Sequence, residues 1–163
     1  MKAPRGSLET IEAVYRARAA DFFRFARAKT GDPERARDAV QEGFARAIRS
    51  RTRFQGSGVL EAWIGRCVIN AAHDQTRADS RVDLDAEDTD LESTATSDEG
   101  GSMVREAILR LPQRQRDALF LRYYLDFDYR AIAEALDVEV GTVSATLHAA
   151  RRSLGDALQE VSR

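Results

Sequence analysis

Two short stretches near the C-terminal end constrain the fold of this chain more than any other feature. The segment YRAIAEALDVEVGTVSATLHAARR, between Phe127 and Arg152, places Ala131, Ile132, Ala135 and Leu136 on one helical face and Val143, Leu147, Ala150 and Leu154 on another. Each set recurs at about 3.6 residues, the period of a packed helix, and only the short turn around Val138 separates them. That is the layout of a helix-turn-helix, whose second helix enters a major groove, so DNA is the expected partner. Ala133 and Gly141 are small, as they must be if the pair approaches closely there, and Thr142, Ser144, Ala145, Thr146 and His148 remain as outward surface. An ordinary helical hairpin inside an all-helical domain needs the same small and apolar residues. Periodicity therefore leaves both readings open.

The rest of the chain fits an all-α protein of two small helical domains. Its 163 residues are 43% apolar, enough for real cores. No run approaches the roughly 18 apolar residues that span a bilayer, and the N-terminus lacks a signal-peptide core, so a cytoplasmic protein without membrane insertion is expected. The single cysteine, Cys67, lies among Trp63, Ile64 and Val68 and reads as buried filler. It cannot form an intrachain disulfide or a thiolate-rich metal site. His73 has no ligand-spaced companion, and no glycine-rich phosphate cradle is present. No metal, cofactor or small-molecule substrate is expected.

Leu8, Ile11, Val14, Tyr15, Phe22, Phe25 and Ala26 stripe a first helix over residues 8 to 30, which Gly31 ends. Asp32 and Pro33 form a cap and first-turn signal for a second helix, striped by Ala36, Val40, Phe44, Ala47 and Ile48 and stopping near Arg49 or Ser50. RTRFQGSGV follows as a shaped loop, and a third helix runs from Leu60 to about Asp74. In the second domain Met103, Ala107, Ile108 and Leu111 mark a short helix. Pro112 then starts another, packed through Ala118, Leu119, Leu121, Tyr123, Tyr124 and Leu125, ahead of the helix pair.

Net charge is −2, which by itself argues against a nucleic-acid binder, but the average conceals a partition. Residues 1–78 carry 15 Lys and Arg against nine Asp and Glu, residues 79–101 one Arg against nine acids, and residues 102–163 nine of each sign. Attraction to phosphate is screened over about 10 Å, so a local basic face matters more than the total. The acidic middle stretch, poor in large apolar residues, predicts an exposed flexible linker over 79–101 between a first domain at 1–78 and a second at 102–163. Such a tether lets two modules engage one partner at separated places. Its acids either solubilise it or shield a basic surface when DNA is absent.

The order of these features resembles the extracytoplasmic function (ECF) group of the sigma-70 family, bacterial transcription initiation factors with two helical domains. The stretch DAVQEGFARAIRSRTRFQGSGVLEAWIGRCVINAAHD carries the likeness in the first domain, and ILRLPQRQRDALFLRYYLDFDYRAIAEALDVEVGTVSATLHAARRSL carries it in the second. The resemblance implies a sigma factor that brings core RNA polymerase to promoter DNA and stabilises the opened minus 10 strand without bond chemistry of its own. Asp38, Gln41 and Glu42 stand on the DxxQE signature of the polymerase-binding helix. Asp38 and Glu42 are spaced to share a face. Phe54, Gln55 and Gly56 fall in the loop that grips a displaced promoter base, with Trp63, Arg66 and Asn70 on the following helix. Arg51 and Arg53 can neutralise phosphate, Phe54 can stack and Gln55 can hydrogen-bond. Trp63, a large indole in an apolar helix, reads more readily as core than as recognition, and packing is an alternative for Phe54.

The helix from Gly141 to Arg152 corresponds to the reader of the minus 35 element, and here the chain departs from its relatives. Ser144, Ala145, Thr146 and Ala149 stand where Lys, Ser, Arg and Arg are usual, so the electrostatic contribution is smaller. Thr142, Ser144, Thr146 and His148 remain as base-facing candidates, with Arg114, Arg116, Arg151 and Arg152 as phosphate anchors. The resemblance further implies an anti-sigma protein that holds the factor silent. Two competing readings are an autonomous helix-turn-helix regulator, which binds duplex unaided, and a polymerase-binding adaptor that scarcely contacts DNA.

Overall fold

The structure, a computed structural model, describes residues 6–54, 58–82 and 99–161. Seven α-helices lie within them: α1 (Leu8–Thr30), α2 (Pro33–Arg49), α3 (Leu60–Val82), α4 (Glu99–Leu109), α5 (Gln113–Tyr123), α6 (Tyr129–Leu136) and α7 (Val140–Val161), with one 3₁₀ turn at Arg51–Arg53. They form two helical clusters, α1–α3 and α4–α7.

Local chemistry sets several boundaries. Ser7 caps α1 by accepting from the Thr10 amide at 3.3 Å, and Gly31 closes it in the left-handed conformation, φ 71°, donating to the Arg27 carbonyl. Asp32 Oδ1 accepts from the Arg35 amide at 2.9 Å, and Pro33 occupies the first turn of α2, where its missing donor costs nothing. Asp128 caps α6 through the Ala131 amide at 2.8 Å. Asp137 ends α6 with φ 56°, and the chain re-enters helix at Val140.

α3 runs eight residues past the expected stop at Asp74, so the polar stretch that reads as linker begins as helix. α4 likewise starts at Glu99, inside the acidic segment. The linker's centre, residues 83–98, lies outside the described residues.

The α1–α3 core is built from Ile11, Phe22 and Phe25 of α1, Val40 and Phe44 of α2, and Ile64 and Val68 of α3. α2 crosses α3 at Gly43, where an added Cβ would fall 2.6 Å from the Val68 Cα, so only glycine permits this approach. In the second cluster Leu121, Leu125, Ile132, Val143 and Leu147 are almost fully enclosed. The expected stripes of α6 and α7 are buried, with Leu136 and Leu154 partly so. Elsewhere the sequence expectation needs correction. Tyr123 and Tyr124 are 62% and 52% exposed because they sit at the C-terminal end of α5, where the chain turns away from its apolar face, and Leu8 and Tyr15 of α1 are also exposed. Gly141 makes no close approach, since a Cβ there meets nothing within 4 Å.

The two clusters pack on each other through one continuous core. Phe25 of α1 meets Phe120 of α5 edge-on at 6.0 Å. The Arg18 guanidinium lies over the Phe127 ring and donates to the Leu125 carbonyl. One turn beyond Phe25 on α1, Lys29 Nζ sits 2.6 Å from Asp117 Oδ1, with side chains only 8% and 3% exposed, and His73 Nε2 lies 3.2 Å from Asp117 Oδ2. Burial pulls the Lys29 ammonium below its ordinary value, while the Asp117 charge opposes that shift.

Candidate nucleic-acid interface

Helix α2 buries Ala36, Ala39, Val40 and Phe44, so Asp38 and Gln41 are turned outward and exposed. Glu42 is half-buried and engaged: its Oε1 accepts from Arg46 Nε at 2.8 Å and from Arg49 Nη2 at 3.0 Å. The Arg46 hydrogen bond, seconded by Arg49, holds the Glu42 carboxyl below the usual range. Arg46 also reaches Asp74 Oδ2 at 2.8 Å and thereby ties α2 to α3. Asp38 and Gln41 are thus the free polar groups of the motif, and Glu42 sets its local geometry.

Past α2, Arg51 and Arg53 are exposed on the 3₁₀ turn, and Arg51 donates to the Ile48 carbonyl at 3.0 Å. Phe54 is 9% exposed and its ring lies 5.4 Å from that of half-buried Trp63, so in this arrangement the two aromatics pack on each other. Gln55 and Gly56 lie outside the described residues. Asn70 is exposed on α3. Arg66, one helical turn before it, donates to Asp137 Oδ2 of the second cluster at 2.8 Å. Nearby, the Val59 amide donates to Glu134 Oε2 at 3.0 Å.

On α7, burial of Val143, Leu147 and Ala150 turns Thr142, Ser144 and His148 to the surface and leaves Thr146 half-buried. Arg151 and Arg152 extend this exposed face, and Arg151 Nε donates to the Tyr123 hydroxyl at 3.1 Å while its guanidinium covers that ring. Arg114 is exposed, whereas Arg116 is tied to the Leu109 carbonyl at 3.0 Å. Sequence reasoning missed Lys29, Asp117, Glu134 and Asp137. Asp117 offered a clue, because a carboxylate adjoining the buried run at Ala118, Leu119 and Leu121 requires a partner.

These two surfaces coincide with two recognised modules. Residues 14–82 match the model of sigma-70 region 2, and residues 102–154 match that of sigma-70 region 4. The RNA polymerase sigma-H factor of Pseudomonas aeruginosa is 32% identical over 149 residues, covering 81% of this chain and 77% of that protein. The chain belongs to the sigma-70 family. The ECF RNA polymerase sigma-E factor of Haemophilus influenzae is 30% identical over 139 residues, 75% of this chain and 74% of that one, which agrees with placement in the ECF group. A sigma factor of this kind directs RNA polymerase to promoters and is not an enzyme. The fold is shared with CnrH, solved with the cytosolic domain of CnrY, at a TM-score of 0.71 and 18% identity over 95% of this chain and 91% of that one. It is also shared with the sigma factor RpoE of Bartonella quintana, solved with the anti-sigma factor NepR, at 0.73 and 21% over 93% and 98%. No helix among the described residues of this sigma factor is long and apolar enough to cross a membrane.

Proposed function

We propose that region 2 of this sigma factor docks on core RNA polymerase through Asp38, Gln41 and the Glu42-ordered face of α2. The Arg51–Gly56 loop, with Trp63, Arg66 and Asn70, then holds the opened minus 10 strand. The pair α6–α7 acts as a helix-turn-helix that reads the minus 35 element through Thr142, Ser144, Thr146 and His148, with Arg114, Arg116, Arg151 and Arg152 against phosphates. The observation that carries this reading is the outward polar stripe of α7 set opposite a wholly apolar, buried one, within the segment that matches region 4. A face spared from packing on a region 4 helix is available for base edges.

Docking supplies the affinity that the reduced basic content of α7 withholds, because the tethered second contact becomes effectively intramolecular. An anti-sigma protein is the proposed off-switch, supported by a likeness in fold to a sigma factor solved with its anti-sigma partner. Permanganate footprinting of a promoter pool with core polymerase, with and without this protein, tests the assignment. Reactive thymines that appear only when both are present establish promoter opening. Core binding with no opening across the pool points to the adaptor, and sequence-specific duplex protection without polymerase to the autonomous regulator.

A further inference from the structure

We infer that Tyr123, at the end of α5, is a positioning residue for duplex binding: its hydroxyl and ring hold the Arg151 guanidinium of α7 ready for a backbone phosphate, with Tyr129 of α6 as a second support. The inference rests on the assignment of Arg151 to phosphate contact and names what sets that arginine in place.

Helix α7 carries only two arginines and no lysine, so each phosphate contact it makes weighs heavily. Arg151 lies on the exposed stripe of Ser144 and His148, at i, i+4 and i+7 spacing. Its Nε donates to the Tyr123 hydroxyl at 3.1 Å, and its guanidinium carbon stands 5.9 Å from the centroid of that ring. The Tyr123 hydrogen bond, seconded by Tyr129, holds the guanidinium above its ordinary value. Three helices thus converge on one side chain. In a helix-turn-helix the first helix crosses the DNA backbone, and Tyr129 begins the corresponding helix here, α6.

The chemistry of the supporting groups decides what the hold achieves. Elsewhere the arginines of this chain meet carboxylates: Arg46 meets Glu42 and Asp74, Arg24 meets Asp21, and Arg66 meets Asp137. A carboxylate orients a guanidinium and cancels its charge in the same contact. A phenol hydroxyl orients it and cancels nothing, and no carboxylate among the described residues acts on Arg151. With Nε engaged by Tyr123, the Nη groups keep the planar fork that fits two phosphate oxygens. An unsupported arginine gives up rotamer freedom when it binds, whereas one already held has given it up on folding. The exposed place of Tyr123 at the end of α5 is what lets its hydroxyl reach the water-facing side of α7.

The test uses the full chain and a fluorescein-labelled duplex of random sequence, read by anisotropy over a series of low salt concentrations, since phosphate attraction needs no particular sequence. Arg151→Ala weakens binding and reduces the slope of log affinity against log salt by about 0.9, the ions released by one phosphate contact. Tyr123→Phe keeps the ring at an exposed position and removes only the acceptor. It binds about fivefold more weakly with the slope unchanged, because the same contact forms but one long side chain is now ordered at binding. In the Arg151→Ala chain Tyr123→Phe has no further effect. A loss from Tyr123→Phe that persists in that background marks a structural role independent of Arg151 and overturns the inference. Wild-type affinity in Tyr123→Phe overturns it as well, as does an Arg151→Ala chain with slope and affinity intact. Minus 35 preference of the wild-type chain with core polymerase, scored across a promoter library, reports separately on the promoter reading.

Discussion

The two surfaces proposed to face DNA differ in how the free chain holds them. On α7 the outward residues Thr142, Ser144 and His148 are exposed to solvent. On region 2 nearly every described candidate is engaged: Phe54 with Trp63, Arg51 with the Ile48 carbonyl, Arg66 with Asp137. Only Arg53 and Asn70 stand clear. A duplex reader can be finished in advance because a major groove needs no melting. A surface that traps an unpaired strand is useful only after opening, so internal satisfaction costs it nothing beforehand and keeps it from gathering stray DNA.

The largest effect that would break this contrast comes from the frame of region 2. Gly43→Ala drives a methyl into the Val68 backbone, and the overpacking is expected to cost about 3 kcal/mol, read as a fall in the thermal midpoint. An unchanged midpoint would show that α2 and α3 are not joined as described. Replacing Ser144, Thr146 and His148 together with alanine sharpens the other side, with about 2 kcal/mol of minus 35 discrimination lost for a good base contact removed. Promoter selection measured across a variant library should then flatten at minus 35 while minus 10 preference persists. Asp38→Lys, at an exposed and uncommitted carboxylate, should weaken core polymerase binding by about tenfold in a binding isotherm, chiefly at low salt. Smallest is Gly141→Ala, which meets open space and should stabilise the chain by about 0.5 kcal/mol through helix propensity, the opposite sign to the change at Gly43.

What the sequence disclosed and what it hid divide along a physical line. Gly31 and Asp32–Pro33 act on the backbone within a few residues, so the end of α1 and the start of α2 were readable from local signals. The continuation of α3 through QTRADSRV was not, because an exposed polar helix and a polar tether share one composition. Tyr123 and Tyr124 are aromatic yet exposed because their place at the helix end, rather than their hydrophobicity, decides. The proposed docking face of α2 was read from a motif, and the engagement of Glu42 by Arg46 and Arg49 shifts the exposed charge to Asp38. Asp117 meets Lys29 across 88 residues and His73 across 44, and no local pattern brings such partners together.

The bare crossing at Gly43 has a consequence for motion. Two helices whose backbones touch without a side chain between them have no layer in which to slide, and they travel as one rigid body. The heading of α2 on whatever it docks against is therefore also the heading of Arg66 and Asn70 on α3, fixed when the chain folds and carried unchanged into every later step.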